Sequence, residues 1–196
     1  MKKLIFAFFL MAMTVGFGAS SISAQEMKND KMMKSGGNPM VGGAAMYKTK
    51  NIVENAVNSK DHTTLVAAVK AAGLVETLQG KGPFTVFAPT NSAFDMLPAG
   101  TVDTLVKPEN KATLTKILTY HVVAGNMDSK KIMKAIKKGN GKAMFKTVNG
   151  GELTATMDGD KVVLTDAKGG KSTVTIADVM QSNGVIHVVD SVLMPK

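Results

Sequence analysis

The sequence predicts an α+β domain, with its helices mainly in the N-terminal half and its antiparallel strands mainly in the C-terminal half. From residue 51 to about residue 138, apolar residues recur with the spacing of short amphipathic helices. From residue 143 onward, short strand-like runs alternate with turn sequences. One strand-like run, residues 84–88, lies among the helices and must join the later sheet. Helices followed by strands favour an α+β domain over a doubly wound one, in which the two would alternate.

The predicted helices begin at polar residues whose side chains can accept a hydrogen bond from the first turn. We expect Asn51, Asp61 and Asp128 to cap three of them. Gly73 follows an apolar helical run and is placed to end it in the left-handed conformation. Further short helices are predicted at residues 74–78, 90–97, 101–106 and 108–119, and a short buried strand at residues 120–123.

The second half reads as a β-meander. Dipeptides such as Asn149-Gly150 and Asp158-Gly159 separate the runs and tolerate the positive φ angles of tight turns. The predicted strands cover residues 143–148, 152–157, 161–165, 172–179 and 185–193.

Residues 1–24 have the order of a secretory signal peptide: a basic start, an apolar run and a set of small residues. We predict cleavage after Ala24, with Ser21 as the second choice. The alternative is an uncleaved membrane anchor, but the apolar run from Leu4 to Val15 is shorter than the roughly 20 residues that span a bilayer. The chain is therefore expected to be secreted, in the extracellular space or the periplasm, and to associate with the cell surface.

Residues 25–50 form a Met-, Gly- and Lys-rich segment without helical or strand periodicity. We predict a flexible leader, with the folded domain starting at residue 51. Thioether sulfurs suit Cu(I), so a copper-binding leader is an alternative. The methionines show no tight repeated spacing, which favours a plain tether, and no cofactor is predicted. The candidate ligands of that alternative are Met27, Met32, Met33, Met40 and Met46.

Composition limits the chemistry of the chain. It has no cysteine, which excludes thiolate zinc sites, iron–sulfur clusters and cysteine nucleophiles. Every basic residue is lysine, and loss of Lys2 and Lys3 with the signal peptide would lower the net charge from +9 to +7. Such a charge favours weak contact with polyanions, although a solvated, soluble surface is the simpler explanation. Specific nucleic-acid recognition is not predicted, because arginine and tryptophan are absent and aromatic residues are few.

Three segments of residues 51–196 resemble the signature segments of the fasciclin-like domain family. The first runs through the strand at residues 84–88 into the following helix, the second is a Tyr-His pair, and the third lies near the end of the chain. The matching residues are Thr85, Phe87, Ala88, Pro89, Thr90 and Phe94, then Tyr120 and His121, then Asn183, Gly184, His187, Asp190, Leu193 and Pro195.

The resemblance implies a fold of short helices packed on a wedge-shaped β-sandwich, and an association with cell adhesion and extracellular matrix. It also implies an internally hydrogen-bonded Tyr120-His121 pair. Residues around Asp178 resemble a family segment linked to receptor contact, although packing explains Asp178 more simply. A single domain bridges two surfaces only if it dimerises or has two binding faces, so the oligomeric state stays open.

The residues do not indicate an enzyme. The three histidines, His62, His121 and His187, lie apart in the sequence, no serine sits in a G-x-S-x-G turn, and no phosphate-binding glycine loop occurs. We therefore predict a secreted, non-enzymatic adhesion or binding module of the cell surface, matrix or biofilm. Its expected partners are cell-surface or matrix proteins or polysaccharide. The alternatives are the copper-binding leader and an enzyme of unrecognised type.

Overall fold

The computed structural model describes residues 37–196, in which most of the short helices cover one side of a mixed sheet and the last one packs against the other side. A hairpin precedes the helices and is formed by β1 (Met40–Val41) and β2 (Ala44–Ala45). The helices are α1 (Ile52–Ala56), α2 (Thr63–Ala72), α3 (Val75–Gln79), α4 (Asn91–Asp95), α5 (Thr101–Leu105), α6 (Lys111–Tyr120) and α7 (Ser129–Lys138). The sheet strands are β3 (Phe84–Pro89), β4 (Val122–Ala124), β5 (Lys142–Lys146), β6 (Glu152–Asp158), β7 (Lys161–Thr165), β8 (Lys171–Gln181) and β9 (Gly184–Val189).

Local signals account for several helix ends. Asn51 caps α1 in a reciprocal arrangement, because its side chain accepts the Glu54 N–H at 2.9 Å and the Glu54 carboxylate accepts the Asn51 N–H at 2.8 Å. Gly73 ends α2 at φ +71°, and Asp128 accepts the Lys131 N–H at the start of α7. The predicted cap at Asp61 is wrong, because this residue lies inside a 3₁₀ turn that precedes α2.

Seven strands form one sheet in the order β4-β3-β9-β8-β7-β6-β5. Strands β5 to β9 follow one another as an antiparallel meander, while β3 pairs with β9 in parallel. Beyond β5, Val148 donates its N–H to the Val122 carbonyl of β4 at 2.7 Å, so the sheet curls back towards its other edge. The predicted α+β fold, with short helices mainly N-terminal and antiparallel strands mainly C-terminal, is confirmed, and the implied wedge-shaped β-sandwich is one seven-stranded sheet that curls on itself.

Strands β3 and β9 lie at the centre of the fold and are buried on both faces. Alternate residues of β3 enter two different apolar clusters: Val86 and Ala88 pack beneath the helices, whereas Phe87 points into the interior of the curled sheet. We call these the helix-side cluster and the strand-side cluster. Because side chains alternate along a strand, two neighbouring strands can serve both clusters at once.

The short strand predicted at residues 120–123 begins two residues later in the structure than predicted. Tyr120 is the last residue of α6 and His121 caps that helix, its N–H bonding to the Leu118 carbonyl at 3.1 Å. The strand begins at Val122. A short apolar run is compatible with either a helix end or a strand, so the sequence pattern does not locate the boundary.

The predicted flexible leader also needs correction, because residues 40–50 belong to the folded domain. Val41 and Met46 are 4% and 2% exposed and lie in the helix-side cluster. Backbone bonds fasten the segment: Lys60 N–H donates to the Gly42 carbonyl and Ser182 N–H to the Lys50 carbonyl. Two apolar anchors in a Gly-rich hairpin produce no periodic pattern, which is why the sequence did not reveal them.

This correction weakens the copper hypothesis. The sulfur of Met46 is enclosed in the apolar core and Met40 is half-buried in β1, so a site using all five methionines would require part of the domain to unfold. The predicted signal peptide, residues 25–36 of the predicted leader, and Met27, Met32 and Met33 lie outside the described residues. Within residues 37–196, no helix is both long and apolar enough to cross a membrane.

Candidate functional site

Asn183 joins four elements at one end of the sheet. It lies in the tight turn between β8 and β9, where its side-chain oxygen accepts the Ile52 N–H of α1 at 3.0 Å. Its amide group donates to the carbonyls of Leu78 and Gly80 at 2.8 and 2.9 Å. Its own carbonyl accepts the Phe84 N–H at the start of β3. The residue therefore holds the helices onto the sheet.

Gly184 allows β9 to approach β3 at the same point. A Cβ atom on this residue would lie 2.0 Å from the carbonyl oxygen of Phe84, well inside van der Waals contact. Only glycine permits the parallel pairing of the two strands to begin here.

The side chains of Thr85 and Phe87 make their contacts inside the domain. The Thr85 hydroxyl donates to the Gly125 carbonyl at 2.7 Å and accepts the Met127 N–H at 2.9 Å, which fastens the loop after β4. Phe87 is buried in the strand-side cluster, and its ring stacks on His187 with the centroids 5.6 Å apart.

The last residues of the first signature segment, Pro89 to Phe94, form the turn from β3 into α4. Pro89 is the last residue of β3, and the Thr90 hydroxyl then accepts the Ala93 N–H as the cap of α4. Phe94 on α4 is buried in the helix-side cluster. These residues shape the strand-to-helix turn.

Tyr120 ties α6 to the strand side of the domain. Its hydroxyl donates to the Glu152 carbonyl at 2.6 Å and accepts the Ala167 N–H at 3.0 Å. Burial raises the pKa of the Tyr120 hydroxyl, so the group stays protonated and keeps its role as a donor.

His121 holds the residues that follow β9 against α6. Its Nε2 accepts the Leu193 N–H at 3.0 Å, so the ring proton must lie on Nδ1, which donates to the Ile117 carbonyl at 2.9 Å. Burial lowers the pKa of His121 to about 4. The ring is therefore neutral at pH 7, with both nitrogens used inside the domain.

His187 and Asp178 meet beside the start of α7. His187 Nε2 donates to the Met127 carbonyl at 2.8 Å, and burial lowers the pKa of the ring. Asp178 lies in a bulge of β8 at φ +58°, and its carboxylate accepts the Ser129 N–H at 2.7 Å and also the Ser129 hydroxyl. Asp178, in the segment that resembles a receptor-contact segment of the family, thus has the structural role that packing suggested, because its carboxylate bonds the start of α7.

Asp190 fastens the end of β9 to the start of β8. One carboxylate oxygen accepts the Thr173 N–H at 2.7 Å and lies 3.2 Å from the Ser191 hydroxyl. As with the other polar signature residues, its hydrogen bonds are made within the domain.

Sequence reasoning assigned no role to His62 or Asn55, and it offered Asn91 only as a candidate helix cap, a place that Thr90 takes. His62 is buried, its Nδ1 lies 2.9 Å from the Ser59 hydroxyl, and burial lowers its pKa. Asn55 bonds both backbone groups of Tyr47, and Asn91 bonds the backbone of Thr64 and Lys60. A polar residue on the apolar side of a helix, as Asn55 is, was the available signal.

The structure contains two cavities of interest. An apolar cavity of about 80 Å³ lies between the helices and the central strands and reaches His62, but it is far smaller than the roughly 300 Å³ of small-molecule sites. An open groove of about 680 Å³ lies beside β5 and β6 and is lined in part by Lys116, Lys146, Glu152 and Lys196. No group of three or more histidines and carboxylates suited to a metal occurs in the part of the chain that the structure describes.

The comparisons place this arrangement among known proteins. The fasciclin domain model matches residues 60–195. The chain is 48% identical to protein sll1483 of Synechocystis over 156 residues, which is 80% of this chain and 79% of that protein. It is 38% identical to immunogenic protein MPB70 of Mycobacterium bovis over 145 residues, 71% of this chain and 66% of MPB70. The chain therefore belongs to the fasciclin domain family.

A solved structure agrees with this assignment. The FAS1 domain pair of the insect cell adhesion molecule fasciclin I matches with a TM-score of 0.66 at 17% identity, covering 74% of this chain and 51% of the insect chain. Another relative is cell surface glycolipoprotein MPB83 of Mycobacterium bovis, 34% identical over 159 residues, which is 79% of this chain and 64% of that protein, and nothing in the matches points to catalysis.

Proposed function

We propose that this chain is an exported, non-enzymatic module that attaches to components of the cell surface, extracellular matrix or biofilm. One observation carries the proposal: the polar side chains of the family signature make their hydrogen bonds inside the domain. The signature thus maintains the fold and leaves recognition to the surface. The likeness to an insect cell adhesion molecule supports the same function.

The buried histidines argue against acid–base catalysis. A general base must reach a substrate proton within hydrogen-bond distance. His121 and His187 instead bond backbone groups on both sides of their rings, and burial lowers the pKa of each. Their geometry suits structural cross-links that stay neutral at pH 7.

Export and attachment can be tested together in the cells that produce the chain. We expect a C-terminally tagged chain in the extracellular or surface fraction, and a variant lacking residues 2–24 in the cytosol. Beads coated with purified protein should bind those cells or their matrix more than beads coated with heat-denatured protein. Retention of the intact chain in the cytosol, or equal binding of both bead types, would contradict the proposal.

A further inference from the structure

The positive charge of this domain is concentrated in one segment. Residues 129–151 hold seven lysines and no acidic residue, whereas the rest of the described chain holds 12 lysines and 13 acidic residues. All seven side chains are exposed. We call this set the lysine face: Lys130, Lys131, Lys134, Lys137 and Lys138 of α7, and Lys142 and Lys146 of β5.

Packing turns these lysines towards solvent. Ile132 and Ile136 of α7 are 1% and 2% exposed in the strand-side cluster, where they join Ala143 and Phe145 of β5. The apolar side of α7 is thus fully used, and its other side carries the charges. Along the helix axis, Lys130 and Lys138 lie about 12 Å apart at ~1.5 Å per residue.

Few carboxylates neutralise the lysine face. Within residues 37–196, the one ion pair joins Lys131 to Asp128 at 3.9 Å. Asp178 is held by Ser129, and Glu152 stands opposite Lys146 in the β5–β6 ladder, at the margin of the face. The positive charge of the remaining lysines is available to a partner.

The lysine face also opposes the stability of its own helix. Lys130, Lys134 and Lys138 repeat at four-residue intervals, which brings like charges together on one helix surface. Lys130 and Lys131 also stand in the first turn, where the helix dipole disfavours positive charge, whereas Lys137 and Lys138 stand in the last turn, where the dipole favours it. The cost to the helix therefore comes from the first turn and from the row of like charges. A local arrangement that costs stability without a structural gain is typical of a functional surface.

We propose that the lysine face binds an acidic polysaccharide, a chain carrying repeated carboxylate or sulfate groups. This inference rests on the proposed function, since it names the class of partner that the module binds. Lysine ammonium groups are compact point charges that suit such repeated anions without demanding a fixed geometry.

Two other polyanions fit the lysine face less well. Nucleic-acid binding usually uses arginine and exposed aromatic rings, but the chain has no arginine and Phe145, the aromatic residue of this segment, is buried. A membrane-surface helix inserts its apolar side between lipids, but that side of α7 is packed against the strands.

The test uses purified protein, sodium alginate as a linear polyuronate, and calorimetric titration at low and moderate salt. We compare two variants of equal net charge, each with four Lys→Gln substitutions. The first alters the lysine face at Lys130, Lys134, Lys137 and Lys138, and the matched control alters exposed lysines elsewhere, at Lys70, Lys107, Lys161 and Lys168. We expect the face variant to bind alginate at least about 10-fold more weakly and the control to stay within about 2-fold of the unaltered protein, with binding weakened by salt.

Equal losses in the two variants would show binding by net charge alone and overturn the proposal. So would an absence of alginate binding, or equally tight binding of neutral dextran. Tighter binding of duplex DNA or anionic phospholipid vesicles through the same four lysines would overturn the choice of partner. If alginate binding fails while coated beads still attach to cells, the proposed function survives and this inference does not.

Discussion

The two faces of the central strands are held by different kinds of polar group. On the helix side, the amide side chains of Asn55, Asn91 and Asn183 bridge elements that are distant in the sequence. On the strand side, that role belongs to Tyr120, His121 and three carboxylates, those of Asp166, Asp178 and Asp190. Amides do not titrate, and burial lowers the pKa of two histidines on the strand side, His121 and His187, but of one, His62, among the helices, so acid should weaken the strand side more.

The two sides also differ in surface charge. The lysine face belongs to α7 and β5 on the strand side, whereas the described chain outside residues 129–151 is close to neutral. Since both clusters share β3 and β9, the fold supplies one rigid centre. The strand side carries the charged surface, and its own apolar cluster fixes the two elements that bear it.

The largest effect should come from removing the helix-side link at Asn183. Asn183→Ala leaves the Ile52 N–H and the carbonyls of Leu78 and Gly80 buried without their partner. We expect the free energy of unfolding to fall by about 4 kcal/mol, as measured by urea denaturation. Asn183→Asp keeps the acceptor for Ile52 and should lose less; a loss below 1 kcal/mol for the alanine variant would refute the link.

Acid should act on the strand side through His121. The pKa of His121 in the folded state is about 4, below the ordinary 6.5. Between pH 6.5 and 4, this histidine is therefore protonated in the unfolded chain but neutral in the folded one. The stability that this group supplies is therefore present above pH 6.5 and is lost as the pH falls towards 4, by about 3 kcal/mol. Burial lowers the pKa of His62 and His187 too, which adds loss in the same direction.

Urea denaturation at several pH values between 7.5 and 4 measures this dependence, with His121→Gln as the control. The variant cannot titrate at this position and should show a shallower fall in stability over the same range. Identical slopes in the two proteins would exclude His121 as a source of acid sensitivity.

Met46→Ala tests whether the hairpin segment belongs to the helix-side cluster. The side chain is 2% exposed, so its truncation leaves a cavity and should cost about 2 kcal/mol. Met40→Ala, at a half-buried position, should cost less. Thermal or urea unfolding distinguishes a packed hairpin segment from a leader detached from the domain. If the leader were detached, neither substitution would change the stability.

The smallest expected change is a gain. Lys134→Glu replaces repulsion with attraction towards Lys130 and Lys138, which should stabilise the domain by about 0.5 kcal/mol. The same substitution should weaken alginate binding, so stability and binding would move in opposite directions. Loss of both stability and binding would assign Lys134 a packing role instead.

Much of the fold could be predicted because its signals are local. Asn51, Gly73 and Asp128 mark helix ends through hydrogen bonds and backbone conformations a few residues away. The glycine turns between β5 and β9 set antiparallel neighbours in the same way. The signature residues identified the family, yet their roles depend on partners dozens of residues distant, such as Leu193 for His121 and Leu78 for Asn183.

The sequence by itself determined the order of helices and strands, the lysine-only positive charge and the family. The tertiary structure alone decided that β3 would pair in parallel with β9, that Met46 would enter the core and that Asp178 would accept hydrogen bonds from Ser129. The physical reason is that capping and turn formation involve neighbouring residues, whereas burial and the choice of buried hydrogen-bond partners depend on which distant surfaces meet.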